Sequence, residues 1–254
     1  MGSLFLGAAS PRAFWLTVTV TERMLARFPK IVVVAAALGA PLSAPVSAMD
    51  FAVTKMADGL RGVAGTGLIQ AGDAERLAIA LRSADRDPYG NRRLTLNSKG
   101  GQVGEALAMV SVMDQEKVTT IVEPKAECAS ACAQILFLSG VHRFVLDGGR
   151  LGLHSCYLSG KDVKNAKATK STQCNDLIAQ NALAHGTGYT SIMAFMQYTD
   201  PTQVRWFDAE ESDCWGFTRW PPGSNRGIQT GEAPPCLLRG YNGKSSSQPS
   251  RPAN

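Results

Sequence analysis

The feature that most narrows the folds open to this chain is the alternation of short β-branched runs with stretches of helical period. Residues 51–55, 65–70, 93–97 and 119–122 read as strands. Between them, residues 73–82 and 102–116 carry apolar side chains three and four apart; Val103, Ala106, Leu107, Val110 and Met113 mark the second stretch. Asp73 stands where the first helix needs an N-cap. Strands alternating with helices predict an α/β fold with a largely parallel sheet flanked by helices. No internal repeat breaks the pattern, so a single domain is expected.

Further along, residues 130–139 form a nearly all-apolar run that reads as a buried helix. Residues 142–146 and 150–154 read as strands around an Asp147-Gly148-Gly149 tight turn. A longer, more polar helical segment is expected over 161–185, and shorter ones over 191–198 and 208–213. From Trp220 the chain turns rich in Pro, Gly and Ser, and the tail 240–254 is expected to be disordered.

Residues 1–48 read as a leader rather than as part of the fold. A short basic stretch at 24–30 precedes an apolar run from Ile31 to Leu42. Small residues then stand at −3 and −1 of a cut after Ala48. Together these predict a secretory signal peptide over about 24–48, cleaved on export to the periplasm or the exterior. The apolar run is too short for a membrane span; an uncleaved anchor is the alternative. Residues 1–23 fit no part of a signal peptide, which points to a start at Met24. The domain proper is expected over 49–239.

The leader holds four Lys/Arg and one Glu, which leaves 22 basic against 20 acidic residues in the rest. That near-balance, with no basic stripe, excludes nucleic acid as an expected partner. All six cysteines (Cys128, Cys132, Cys156, Cys174, Cys214 and Cys236) follow the leader. An even number on an exported chain predicts up to three disulfides. Proximity favours Cys156 with Cys174 and Cys214 with Cys236, but the sequence does not choose among the pairings. The spacings lack a paired C-x-x-C and the three histidines are scattered, so no metal site is expected.

The chemistry-bearing residues are Ser130, His154 and a glycine pair. Ser130 lies in Cys128-Ala129-Ser130-Ala131-Cys132, at the start of the apolar run. His154 ends the strand-like Leu151-Gly152-Leu153. Upstream, Leu96-Asn97-Ser98-Lys99-Gly100-Gly101 is a strand followed by a turn. A serine needs a base to take its proton, and histidine is the natural one at neutral pH. Amides of Ala131 and of Gly101 or Gly100 could hold an oxyanion. Taken singly, Ser130 reads as a helix cap, His154 as a structural histidine and the glycine turn as a loop. His142 reads as a strand-edge residue and His185 as a charge placed at a helix end. The functional reading rests on the three features occurring together, each at the end of its own element.

Residues 65–217 resemble the proteolytic subunit of the Clp protease, and its exported relatives more closely. The matching pieces are Gly67-Leu68-Ile69 with Gly72-Asp73, Asn97 to Val103, Ala129-Ser130-Ala131, Phe137-Leu138-Ser139-Gly140 with Arg143, and Leu153-His154-Ser155. The resemblance implies the fold shared with crotonases and a Ser-His-Asp triad of Ser130, His154 and Asp200. It puts Gly101 and Ala131 on the oxyanion donors. Asp208 and Asp213 are fallback partners for His154, because Pro201 biases Asp200 toward an extended backbone. Lys99 stands where the cytosolic enzymes have proline, and Cys128 and Cys132 bracket Ser130 where they have no cysteine. The family forms stacked rings, so a homo-oligomer is an expectation.

The function expected is therefore an ATP-independent serine peptidase. It needs no cofactor, acts on a peptide or protein substrate, and has no cytosolic ATPase partner, since export separates it from one. The alternatives are an inactive binding protein on the same fold and, with less support, a crotonase-type acyl-CoA enzyme or a Ser-Lys peptidase.

Overall fold

Leu94 and Leu96 of the third strand are fully buried, and the architecture follows from how they are covered. The computed structural model describes residues 48–158, 169–200, 202–224 and 236. These belong to one unit, and the leader before Ala48 and the tail 240–254 lie outside the described residues. Strands β1 (Asp50–Lys55), β2 (Arg61–Thr66), β3 (Arg92–Asn97), β4 (Val118–Val122) and β6 (Arg143–Val145) form a five-stranded sheet in the order β1-β2-β3-β4-β6. A second sheet has the order β10-β7-β5, built from β5 (Glu127–Ala129), β7 (Arg150–Leu153) and β10 (Arg205–Phe207). Strands β8 (Tyr157–Leu158) and β9 (Thr169–Lys170) make a separate antiparallel pair.

The fold is mixed α/β with helices flanking the sheets, and the expectation of a largely parallel sheet is corrected. Strands β2, β3, β4 and β6 are parallel, but β1 pairs antiparallel with β2, and β10 antiparallel with β7. The antiparallel β1 follows from Asp58-Gly59: Gly59 has φ 88°, and its N–H bonds to Met56 O, which reverses the chain within four residues.

Helices α1 (Asp73–Arg82) and α2 (Val103–Glu116) cover one face of the large sheet, as their period predicts. Leu77 and Leu81 of α1 and Met109 and Met113 of α2 share one buried core with Val63, Leu94 and Leu96. At about 25 cal/mol per Å² of apolar surface removed from water, each such side chain contributes about 1.5–3 kcal/mol. Asp73 does not cap α1 as expected. Gly72, at φ 89°, takes the cap position, and the buried Asp73 carboxylate accepts from Gln70 N–H at 2.6 Å and pairs with Arg76. The Ala74 N–H is satisfied from α2 instead, by Glu105 Oε1 at 2.8 Å.

Two further expectations fail. The segments flanking Asp147-Gly148-Gly149 do not pair with each other: β6 joins β4 and β7 joins β5. A Cβ on Gly149 would come within 2.8 Å of the Glu123 and Val122 carbonyl oxygens, so glycine serves a close crossing between sheets. The helix expected over 161–185 begins later, as α3 (Thr172–Ala184), capped by Ser171 Oγ accepting from Cys174 N–H. Thr169 and Lys170 are strand, and residues 161–168 lie outside the described part.

Disulfides join Cys128 to Cys132, Cys156 to Cys174 and Cys214 to Cys236. Three disulfides point to an oxidising compartment. Among the described residues no helix is long and apolar enough to cross a membrane. Helix α4 (Tyr189–Tyr198) presents Phe195 to an edge-to-face cluster of Phe207, Trp215 and Phe217, which fastens it to β10 and to α5 (Ala209–Cys214). Arg143 is fully buried. Its guanidinium donates to Leu138 O and His185 O, tying two helix ends together, while burial draws its pKa down to about 9.

Candidate active site

Strand β3 does not stop at Asn97 in effect; the backbone runs on between two other segments of the chain. Ser98 N–H donates to Glu127 O at 2.8 Å, and Ala129 N–H donates to Ser98 O at 2.9 Å, so one edge of the segment follows β5. The other edge meets Ile69, whose N–H donates to Gly100 O at 2.8 Å and whose O accepts from Gln102 N–H at 3.0 Å. Threading a backbone between two neighbours leaves no room for side chains. A Cβ on Gly101 would stand 2.2 Å from Ile69 O. One on Gly100 would stand 2.6 Å from Ser130 Cβ and 2.9 Å from Ala131 N. Both glycines also have positive φ, 92° and 148°.

The same bonds sort the candidate oxyanion donors. Gly100 N–H is taken by the buried Ser98 Oγ at 3.1 Å, so Gly100 acts as a wall against Ser130. Ile69 bonds to the residues on either side of Gly101, which leaves Gly101's own N–H out of that pairing. Ala131 opens a helical turn, where N–H groups have no partner within the helix.

Ser130 sits at the corner between β5 and that turn. Its φ is 55°, a left-handed conformation that costs a non-glycine residue about 1–2 kcal/mol. Three contacts hold it there. Ser130 N–H donates to Gly152 O at 2.9 Å, Gln134 N–H donates to Ser130 O at 2.8 Å, and the Cys128–Cys132 disulfide closes the corner. The turn after it is not the regular helix expected over 130–139. Residues Cys132–Leu136 are π-helical and Phe137–Ser139 are 3₁₀, a break in regularity that recurs at functional sites. A strained serine at a strand-to-helix corner is the arrangement that exposes a nucleophilic Oγ, and Ser130 is half-buried rather than enclosed.

His154 follows the end of β7 and is 8% exposed. Its Nδ1 lies 2.7 Å from Ser155 O. A carbonyl can only accept, so in the neutral ring Nδ1 carries the hydrogen and Nε2 the lone pair. Burial lowers the pKa of His154 below its ordinary 6.5, opposed by the bond to Ser155 O. Ser155 is anchored through Oγ to Met196 O of α4, and Cys156 through its N–H to Asn175 Oδ1 of α3.

The third residue of the expected constellation is not joined to this pair. Asp200 Oδ1 accepts from Thr202 N–H at 2.8 Å and from Thr202 Oγ1 at 2.6 Å, a local turn. Among the described residues no hydrogen bond links Asp200 to His154, nor Ser130 Oγ to His154. Asp208 caps α5 by accepting from Glu211 N–H, and Asp213 accepts from Thr218 Oγ1 and Trp220 Nε1. His142 stacks on Phe144, and His185 meets Asp114 at 3.0 Å.

Sequence reasoning missed Gln134. Its side chain is 2% exposed, and its Nε2 donates to His154 O at 2.9 Å. The signal available was a lone amide inside Cys132-Ala133-Gln134-Ile135-Leu136-Phe137-Leu138, an otherwise apolar run. A primary amide is buried there only if a partner compensates it.

No family model matches the chain, and no curated protein matches it. Among solved structures it is similar to a mutant of the 1510-N membrane-bound stomatin-specific protease, at 16% identity and a TM-score of 0.49, over 59% of this chain and 73% of that one.

Proposed function

We propose that the chain is an exported, ATP-independent serine hydrolase that cleaves peptide substrates, with Ser130 as nucleophile and His154 as base. The observation that carries the reading is the corner at Ser130. The serine is held in a left-handed conformation, packed against Gly100, with Ala131 opening the helical turn that follows it. The sequence resemblance to the Clp proteolytic subunit supports the same assignment. The leader and the disulfides support export.

In this reading His154 Nε2 takes the Ser130 proton as Oγ adds to the scissile carbonyl carbon. The Gly101 and Ala131 N–H groups hold the oxyanion, each such donor being typically worth about 3–4 kcal/mol of barrier. The imidazolium then returns the proton to the leaving amine, and water repeats the cycle on the acyl-enzyme. The Ser155 carbonyl sets the tautomer of His154, the task the resemblance gives to Asp200. An extended peptide would lie along the strand edge at Gly101–Val103 and pair through its backbone. Ser130 Oγ meets His154 only when substrate orders the site, as is common for catalytic hydrogen bonds.

The unmade Ser130–His154 bond also favours a second reading, a binding protein that keeps the fold without turnover. Fluorophosphonate labelling of the oxidised protein decides between them. Labelling and peptide or ester cleavage that disappear in Ser130→Ala support the hydrolase; an unlabelled wild type supports the binding protein.

A further inference from the structure

We propose that Gln134 is a positioning residue that sets His154 relative to Ser130. The inference rests on the hydrolase reading and deepens it. Gln134 reaches both partners at once: its backbone N–H donates to Ser130 O at 2.8 Å, and its side-chain Nε2 donates to His154 O at 2.9 Å. The two residues otherwise come from different elements, Ser130 from the corner after β5 and His154 from the end of β7. Strands β5 and β7 are paired in parallel, and the backbone bond that follows their register is Ser130 N–H to Gly152 O, two residues before His154. That bond fixes the strand but not the plane of the peptide after His154.

The peptide plane matters because Nδ1 bonds to the next carbonyl, Ser155 O, at 2.7 Å. Rotating the 154–155 peptide turns the ring with it and moves Nε2. Gln134 fastens the carbonyl of that peptide from one side while Ser155 Oγ fastens the following residue to α4 from the other. The cost of burying an amide in an apolar turn is offset by a bond made at the one place where the direction of the base is decided. The irregular turn Cys132–Leu136 puts the side chain of its third residue on the His154 side.

Three variants test this. Gln134→Met keeps the length and loses the donor, Gln134→Asn keeps the amide and loses reach, and Gln134→Glu donates only when protonated. A misplacement of about 1 Å typically costs on the order of 100-fold in rate. Gln134→Met and Gln134→Asn should therefore lower kcat by ten- to a hundredfold with KM changed less than threefold. Gln134→Glu gives the readout that lost stability alone would not move. Its rate relative to wild type at the same pH should fall as pH rises and the buried carboxyl ionises. A flat ratio, or Gln134→Met labelled by fluorophosphonate at the wild-type rate, overturns the proposal while leaving the hydrolase reading in place. A wild type that is never labelled overturns both.

Discussion

Replacing Gly100 with alanine should cost both stability and activity, and the structure separates the two causes. At φ 92° the backbone is left-handed, which costs alanine about 1–2 kcal/mol. The added Cβ would lie 2.6 Å from Ser130 Cβ, 2.8 Å from Ala129 O and 2.9 Å from Ala131 N. None of these is the tip of a flexible side chain, so overpacking adds about 1–3 kcal/mol. The total, about 2–5 kcal/mol, is a large part of the 5–15 kcal/mol typical of a folded domain. Gly90 is the control: its φ is 82° and a Cβ there meets nothing within 4 Å, so Gly90→Ala should show the backbone cost alone. Gly104 is the opposite control, for a Cβ there also meets nothing, and Gly104→Ala inside α2 should stabilise by up to about 1 kcal/mol. Urea unfolding of the three variants measures these differences. Relief of the clash can come only by moving Ser130 or Ala131, so Gly100→Ala should also lose about 100-fold in fluorophosphonate labelling. Equal stability of Gly100→Ala and Gly90→Ala, or wild-type labelling of Gly100→Ala, would refute the packing argument.

Three other outcomes follow from the same geometry. Removing the Cys128–Cys132 disulfide, by Cys128→Ala with Cys132→Ala, opens a loop with a separation of four residues and should cost only about 2 kcal/mol in chain entropy. Labelling should nevertheless fall about tenfold as Ser130 leaves its left-handed conformation; unchanged labelling by mass spectrometry would count against the clamp. Asp200→Asn should keep kcat/KM within about threefold, because Ser155 O orients His154; a loss near the 10⁴-fold known for a triad aspartate would restore Asp200 to that role. Because the folded pKa of His154 is lowered, the unfolded chain binds the proton more readily; its share of stability is full above about 6.5 and is lost as pH falls below that. The acid limb of kcat/KM should therefore have its midpoint below 6.5, and a midpoint above 7 would show that His154 is not the base.

The parts of this molecule that were legible in the sequence are those fixed by local physics. The periods of α1 and α2 survive because one face of each meets the core, and the Gly100-Gly101 turn survives because a Cβ at either position would meet neighbouring backbone. Proximity favoured Cys156–Cys174 and Cys214–Cys236 without fixing the pairing, and Cys128 and Cys132, four residues apart around Ser130, are joined as well. What the sequence hid was long-range. Asp147-Gly148-Gly149 carries a hairpin signal, yet its flanks enter different sheets, because a turn signal reports chain reversal and not the partner of the next strand. The edge strand β10 is three residues long, and its pairing with β7 depends on a chain segment some fifty positions away.

The resemblance puts the third triad residue at Asp200, but local chemistry gives that carboxylate a nearer partner. Asparagine-like turns form wherever an aspartate can accept from a residue two positions on, and Thr202 offers both an amide and a hydroxyl. That local bond competes with any distant histidine. His154, in turn, finds an acceptor one residue away in Ser155 O. Main-chain groups thus do most of the placing at this site: Gly152 O and the Gln134 amide hold Ser130, Ser155 O holds the ring, and two glycines admit the neighbouring backbone. Backbone groups carry no residue identity, so such a site leaves little side-chain signature beyond Ser130, His154 and the glycines. A site built this way should tolerate changes to nearby carboxylates far better than a single methyl group at Gly100 or the loss of the buried amide of Gln134.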